Sequence, residues 1–264
     1  MCGRYASSRK PEDLVEEFEI RTNKVDEALA PDYNVAPTKP VYAVMERAPS
    51  KAAASKDEVS RKADGDGGPP ERQLRVLTWG LVPSWAKDPS IGNRMINARM
   101  ETVAEKPAYK RAFASRRCLL PADGYFEWYP TQQKTKAGKP LKQPFFIHPQ
   151  DGGVLAMAGL YEIWRDPTLT EDDPDRFRWT CTVLTTKAED AVGHIHDRMP
   201  LMVEPERWSA WLDPTVSGRD DLLSLLVPAA PGRLEAFPVS RDVNNVRNNG
   251  PELVVPIPAE DAAE

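Results

Sequence analysis

Cys2, directly behind Met1 in the opening Met1-Cys2-Gly3-Arg4-Tyr5, offers the most distinctive chemistry in this chain. Its small side chain lets an aminopeptidase remove Met1, which leaves a cysteine with a free α-amine. Such a 1,2-aminothiol condenses with an aldehyde through its amine, and its thiol then closes a five-membered thiazolidine. Near pH 7.4 an amine of pKa ~7.8 is roughly a quarter to a third free base, whereas a thiol of pKa ~8.5 is under ~10% thiolate. The amine is therefore the first nucleophile and an aldehyde its natural target. A small buried cysteine that happens to stand at position 2 is the plain alternative.

A chain of 264 residues buries a full core as one domain, or at most two. With 41% hydrophobic and 28% charged residues the composition is that of an ordinary globular protein. No apolar run approaches the ~20 residues of a membrane span, and no basic-then-apolar signal opens the chain. We therefore expect no membrane association and a cytoplasmic location, nucleoid-associated in a bacterium. Cys2, Cys118 and Cys181 are isolated, with no CxxC spacing, so neither a disulfide framework nor a metal site is expected, and no cofactor. The net charge of -5 argues at face value against a nucleic-acid partner. Its distribution matters more: Arg94, Arg99, Lys106, Lys110, Arg111, Arg116 and Arg117 face only Glu101 and Glu105 in that stretch. That run reads as a basic face or as a solvated helix surface.

Pro11-Glu12-Asp13 starts a helix with Leu14, Val15 and Phe18 on one side. A short strand is expected at 41–45 and another at 74–82, with a helical stretch from about 102 to 114. Residues 48–73 hold Val59 as their one large apolar side chain and read as a flexible insertion loop. Short β-rich runs follow at 118–120, 125–129, 145–148, 154–164 and 179–185, with a lysine-rich hairpin loop at 131–143. Helices are expected at 188–195, 205–212 and 219–226, and a last strand at 234–239. The domain thus spans 1–240, and an acidic, disordered tail occupies 257–264. The fold class is α+β: a single domain with a largely antiparallel sheet or open barrel-like core and flanking helices.

Four segments accompany the N-terminus: Asn34-Val35-Ala36-Pro37-Thr38; Trp79-Gly80-Leu81-Val82-Pro83 continuing to Ile96-Asn97-Ala98-Arg99; Pro121-Ala122-Asp123-Gly124-Tyr125-Phe126-Glu127-Trp128; and His194-Ile195-His196-Asp197-Arg198-Met199-Pro200. Together with Met-Cys-Gly-Arg-Tyr, in this order, they resemble the SRAP (SOS response-associated peptidase) family from Cys2 to about Ser240. The resemblance implies a barrel-like α+β domain that binds single-stranded DNA at an abasic site, acting as a monomer. It further implies that Cys2 captures the C1′ aldehyde of the ring-opened sugar as a thiazolidine crosslink that shields the lesion. Cys2 matches the family nucleophile, and Asn97, Glu127 and His196 match its active-site Asn, Glu and His. Arg4, Arg99 and Arg198 match arginines that contact the DNA backbone. Pro37, Trp79 and Trp128 fall in motifs that shape the DNA-facing surface, and Thr185 is a further match.

The chemistry asks for such groups on its own account. Imine formation passes through a carbinolamine whose hydroxyl must be protonated to leave as water. A carboxyl with a pKa raised by burial relays that proton, and Glu127 has the apolar neighbours Tyr125, Phe126 and Trp128 to raise it. His196 polarises a sugar hydroxyl, and Asn97 supplies a neutral donor and acceptor for the Cys2 amine or the aldehyde oxygen. Arginine suits phosphate because its fork stays charged, and Trp79 or Trp128 stacked on a base contributes ~1–3 kcal/mol. Three other readings stay open: an N-terminal-nucleophile amidohydrolase, which also begins Met-Cys-Gly; a module that binds single-stranded or modified DNA without bonding to it; and a protease, of which only removal of Met1 finds residues here.

Overall fold

The computed structural model describes residues 2–47, 69–188, 192–258 and 262. Strands β4 (Pro40–Arg47), β5 (Glu71–Trp79), β7 (Arg117–Ala122), β10 (Leu155–Arg165) and β11 (Phe177–Lys187) form a barrel in the order β5-β4-β7-β10-β11. Their contacts are antiparallel, except that β11 returns to β5 in parallel, pairing Thr180 with Thr78 and Cys181 with Trp79. That pairing closes the ring, where the sequence suggested an open one. Short edge strands β2 (Thr22–Asn23), β6 (Asn97–Arg99) and β12 (Arg198–Pro200) extend this sheet.

The period-two alternation of each strand divides the apolar residues into two cores. Val41, Ala43, Met45, Leu77, Cys118, Leu120, Met157 and Cys181 fill the lumen. Tyr42, Val44, Leu119, Ala158 and Leu160 face outward onto helices α1 (Pro11–Glu17), α2 (Lys110–Ser115), α3 (Trp208–Leu212) and α4 (Arg219–Ser224). A second sheet, ordered β13 (Leu234–Pro238), β9 (Pro140–Pro149), β8 (Gly124–Lys134), β1 (Tyr5–Ser7) and β3 (Asp32–Val35), stands over one mouth of the barrel. Tyr5, Tyr125 and Ile147 join it to the lumen core. Gly124 permits its close packing, since a Cβ there would lie 2.4 Å from the Phe146 ring.

Several expected boundaries move. Residues 71–73, assigned to the insertion loop, begin β5, while 48–68 lie outside the described residues. The hairpin loop expected at 131–143 shrinks to 135–139, because β8 runs to Lys134 and β9 starts at Pro140. The helix expected from 102 is mostly turns and becomes α-helical only at Lys110, Pro107 having removed an amide donor. At 188–195 the described residues form turns, with 189–191 outside the description. Packing also continues past 240: Val243 and Leu253 are buried in short 3₁₀ turns, and the Ile257 amide donates to the Pro238 carbonyl at 3.0 Å. Of the tail expected at 257–264, residues 259–261, 263 and 264 lie outside the described residues. No described helix is long and apolar enough to cross a membrane.

Candidate active site

The N-terminal segment is laid along β8. Tyr5 pairs with Tyr125, and the Phe126 amide donates to the Arg4 carbonyl at 2.9 Å. This register carries Cys2 on toward Glu127, whose side chain shares a face of β8 with Tyr125 because the two stand two positions apart. Asn97 arrives from the barrel, where β6 pairs in parallel with β11 at Val183. Its Nδ2 donates to the Cys2 carbonyl at 2.7 Å, while its Oδ1 is buried without a hydrogen-bond partner. The turn between β11 and β12 carries His196; its base is closed by the Ala188 amide on the Asp197 carbonyl at 2.9 Å. Neighbouring His194 packs against Tyr129 of β8, 6.4 Å between ring centroids.

The electrostatics follow from burial. Cys2 is fully buried, which pushes its thiol far above the ordinary range, and the Glu127 carboxylate adds to the effect. Glu127 is only 3% exposed, and burial raises its carboxyl to about 7, with Asp197 raising it further and Lys142 opposing. Burial lowers His196 below its ordinary value, with Lys142 acting in the same direction. The Arg198 amide donates to His196 Nδ1 at 2.9 Å, so the neutral ring keeps its proton on Nε2. Asp197 Oδ1 lies 3.1 Å from that same Nδ1 and becomes its partner only when the ring is protonated. Asp197 and Lys142 thus act on both Glu127 and His196. The site therefore gathers a neutral thiol, a carboxyl poised near neutral pH, a neutral imidazole and an amide.

The residues expected to bind DNA separate into two kinds. Arg99 is exposed and makes no ion pair among the described residues; Pro37 is half-buried in the turn before β4. Trp128 is half-buried, its indole N–H donating to Asn244 Oδ1 at 2.6 Å, with the Arg4 guanidinium 5.7 Å from its ring. Arg4 itself is half-buried: Nη1 donates to Asn34 Oδ1 at 2.7 Å and to the Val243 carbonyl at 2.8 Å. Of these four, Arg99 is exposed and the other three keep part of their surface open to solvent.

The remaining three are buried or already engaged. Trp79 is fully buried in the lumen, its indole N–H on the Ile96 carbonyl at 2.9 Å and its ring 5.1 Å edge-on to Tyr5. It is a core residue and no stacking platform, because barrel closure at Cys181 encloses it. Thr185 is likewise buried, in β11 beside Arg99 of β6. Arg198 is held by Glu101 at 2.5 and 3.0 Å and by the Thr185 carbonyl at 2.5 Å, so its fork is already engaged. The basic run thins in the same way. Arg117 is buried and donates to the carbonyls of Phe113, Ala114, Trp211, Asp213 and Val216, and Arg116 pairs with Glu162 at 2.9 Å.

Two residues stand in the quoted motifs without an assigned part. Asn34 is fully buried, and its Nδ2 donates to the carbonyls of Val243, Asn245 and Asn248 at 3.2, 3.0 and 2.9 Å, fixing the C-terminal segment beneath Arg4. Tyr125 carries a buried hydroxyl without a hydrogen-bond partner, and its titration is raised by burial, then by Cys2 and Glu127. The i, i+2 spacing to Glu127 was the available signal for Tyr125; for Asn34 the partners lie some two hundred residues away. Among the described residues no group of three or more His, Cys, Asp or Glu side chains is arranged to hold a metal ion.

The family model described as SOS response associated peptidase (SRAP) matches residues 1–246. The chain is 37% identical over 254 residues to abasic site processing protein YoqW of Bacillus subtilis (strain 168), covering 96% of this chain and 99% of that protein. It is 34% identical to abasic site processing protein YedK of Escherichia coli (strain K12), covering 97% and 100%. It is 30% identical to abasic site processing protein HMCES of Xenopus tropicalis, covering 97% and 78%. A crystal structure of a Bacteroides thetaiotaomicron protein superposes with a TM-score of 0.72 at 24% identity, over 97% of this chain and all of that one, and shares its fold.

Proposed function

The chain belongs to the SOS response associated peptidase family, and on that premise we propose that it processes abasic sites in single-stranded DNA by bonding to them through Cys2 once Met1 is removed. The observation that carries this reading is the meeting of Cys2, Asn97 and the raised carboxyl of Glu127 at one barrel mouth. The thiol is held protonated by burial, so the α-amine attacks first. Its nitrogen adds to the C1′ aldehyde, and the resulting carbinolamine carries one hydroxyl. Glu127, about half protonated near pH 7, delivers its proton to that hydroxyl, which leaves as water. The thiol then adds to the iminium carbon and returns a proton to the Glu127 carboxylate, closing the thiazolidine with net loss of one water. Asn97 holds the Cys2 carbonyl through Nδ2 and offers Oδ1 to the new amine. His196, neutral with Nε2–H, donates to a sugar oxygen.

Burial of Cys2 supports selectivity, since a sugar that has lost its base is slimmer than an intact nucleotide. Arg4, Arg99 and Trp128 supply the phosphate and base contacts on the open surface, and Thr185, Trp79 and Arg198 position them from beneath.

Met1-processed protein mixed with single-stranded DNA carrying one abasic site tests the reading on denaturing gels and by intact mass. A species of summed mass less one water, absent in Cys2→Ala, is expected. Processed protein that binds the strand yet yields no adduct overturns the covalent step and leaves a binding module.

A further inference from the structure

The barrel has a second mouth, away from Cys2. Val183 of β11 stands beside Asn97, and Trp179 lies four positions back along the strand, about 13 Å at strand rise. Trp179 shares the lumen face with Cys181 and packs on the lumen core, as does Tyr161 of β10. Arg47 of β4 and Arg75 of β5 continue the lumen-facing positions 41-43-45 and 77-79. Their guanidinium carbons lie 4.8 and 4.5 Å from the centroid of the Trp179 ring, and the Tyr161 ring stacks on that ring at 5.9 Å and 14°.

Two like charges on one indole repel, and among the described residues no carboxylate lies within ion-pair distance of either. Arg75 Nε donates only to the neutral Gln73 Oε1, at 3.1 Å. Of the nearby acids, Glu162 pairs with Arg116 at 2.9 Å and Glu46 with Arg72 at 3.1 Å, while Asp26 acts on Arg75 only from beyond ion-pair distance. Burial and the adjacent Arg47 both make Arg75 easier to deprotonate than an ordinary arginine. An oxyanion held by both forks would relieve that repulsion, and guanidinium donors suit phosphate oxygens. Two positions before Trp179, on the same face of β11, Phe177 is 53% exposed, an aromatic platform of the kind an unpaired base covers.

We propose that this far mouth is a second phosphate-binding site, in which Arg47 and Arg75 hold the backbone of a single-stranded nucleic acid while Phe177 stacks on a base. The proposal rests on the reading of the chain as a single-stranded DNA binder, and names a contact remote from the reacting cysteine.

The test uses full-length Met1-processed protein, undamaged single strands, and titrations across a salt series. One strand is too short to reach from Cys2 to Trp179; the other is long enough to cover both mouths. For the long strand, Arg47→Gln/Arg75→Gln should lower affinity several-fold and make the slope of log K against log salt shallower by roughly 1.4, about 0.7 for each of two phosphates. Arg47→Lys/Arg75→Lys keeps the charge and should retain the slope, which separates phosphate contact from damage to the fold. The short strand, which reaches only one mouth at a time, should lose less affinity and less slope than the long one in the Gln variant. Equal slopes for wild type and the folded Gln variant overturn the proposal, as does equal loss in the Gln and Lys variants. A deoxynucleoside monophosphate that binds through the same arginines, with long-strand affinity unchanged, makes this a site for free phosphate esters and overturns the strand assignment. Crosslinking of a short abasic strand by the Gln variant reports separately on the Cys2 reading.

Discussion

Asn97 and Cys2, ninety-five positions apart, are joined by a single 2.7 Å hydrogen bond from the Asn97 amide to the Cys2 carbonyl. This bond couples the barrel to the N-terminal segment that rides on the second sheet. It fixes the backbone of Cys2 from the carbonyl side and leaves the side-chain thiol to the lumen.

Replacing that amide tests its part in positioning. Asn97→Asp keeps the shape but presents an acceptor to an acceptor, and should slow crosslinking about 10- to 100-fold, as expected for a misplaced nucleophile. Equilibrium binding of an undamaged strand should stay unchanged. Single-turnover crosslinking beside anisotropy titrations reads both quantities.

Glu127 makes stability and rate depend on pH in a defined direction. Its carboxyl is held at about 7 by burial against an ordinary 4.5, so the folded protein keeps a proton that the unfolded chain has already released. Stability from this group is full below about 4.5 and falls as pH rises toward 7. Glu127→Gln should therefore exceed wild type by up to roughly 3 kcal/mol at pH 8 and match it below the lower value, in denaturant melts. Wild-type crosslinking should decline above pH 7 with a dependence that the Gln variant lacks.

The two arginines of the third and fifth motifs should part company. Arg99→Ala, at an exposed position, should weaken strand binding and lower its salt slope by about 0.7, with little effect on melting. Arg198→Ala leaves Glu101 without its partner and frees the Thr185 carbonyl, so its loss should appear as about 1–3 kcal/mol of stability. Paired salt titrations and melts distinguish the two.

The tryptophans divide along the same line. Trp79→Ala empties a lumen position and should cost about 3–5 kcal/mol in denaturant melts. Trp128→Ala, at the half-buried surface position, should leave most stability intact and weaken strand binding by about 1–3 kcal/mol.

How far the sequence discloses this arrangement depends on the range of the forces involved. Strand alternation is local, so the β-rich runs and the shared face of Tyr125 and Glu127 could be read directly. The lumen position of Trp79 could not, because it follows from β11 closing on β5 a hundred residues later. Arg117 looked like surface charge for a similar reason: its five carbonyl partners lie in α2, in α3 and in the segment after α3. Residues 241–249 carry no apolar period, only Asn, Arg and Asp around Val243 and Val246, and so read as a run-out beyond the domain. Side-chain bonds from Asn34 hold them in place, and polar pairing of that kind leaves no periodic trace.

The clasp between Arg4 and Val243 spans 239 positions of chain. During synthesis at about 5–20 residues per second, the second half of that clasp leaves the ribosome on the order of 10–50 s after the first. Throughout that interval the leading residues cannot be locked beneath the C-terminal segment, and an aminopeptidase working on nascent chains finds Met1 accessible. Translation order thus sets a window for the proposed removal of Met1: it falls in the interval before the clasp between Arg4 and Val243 can close.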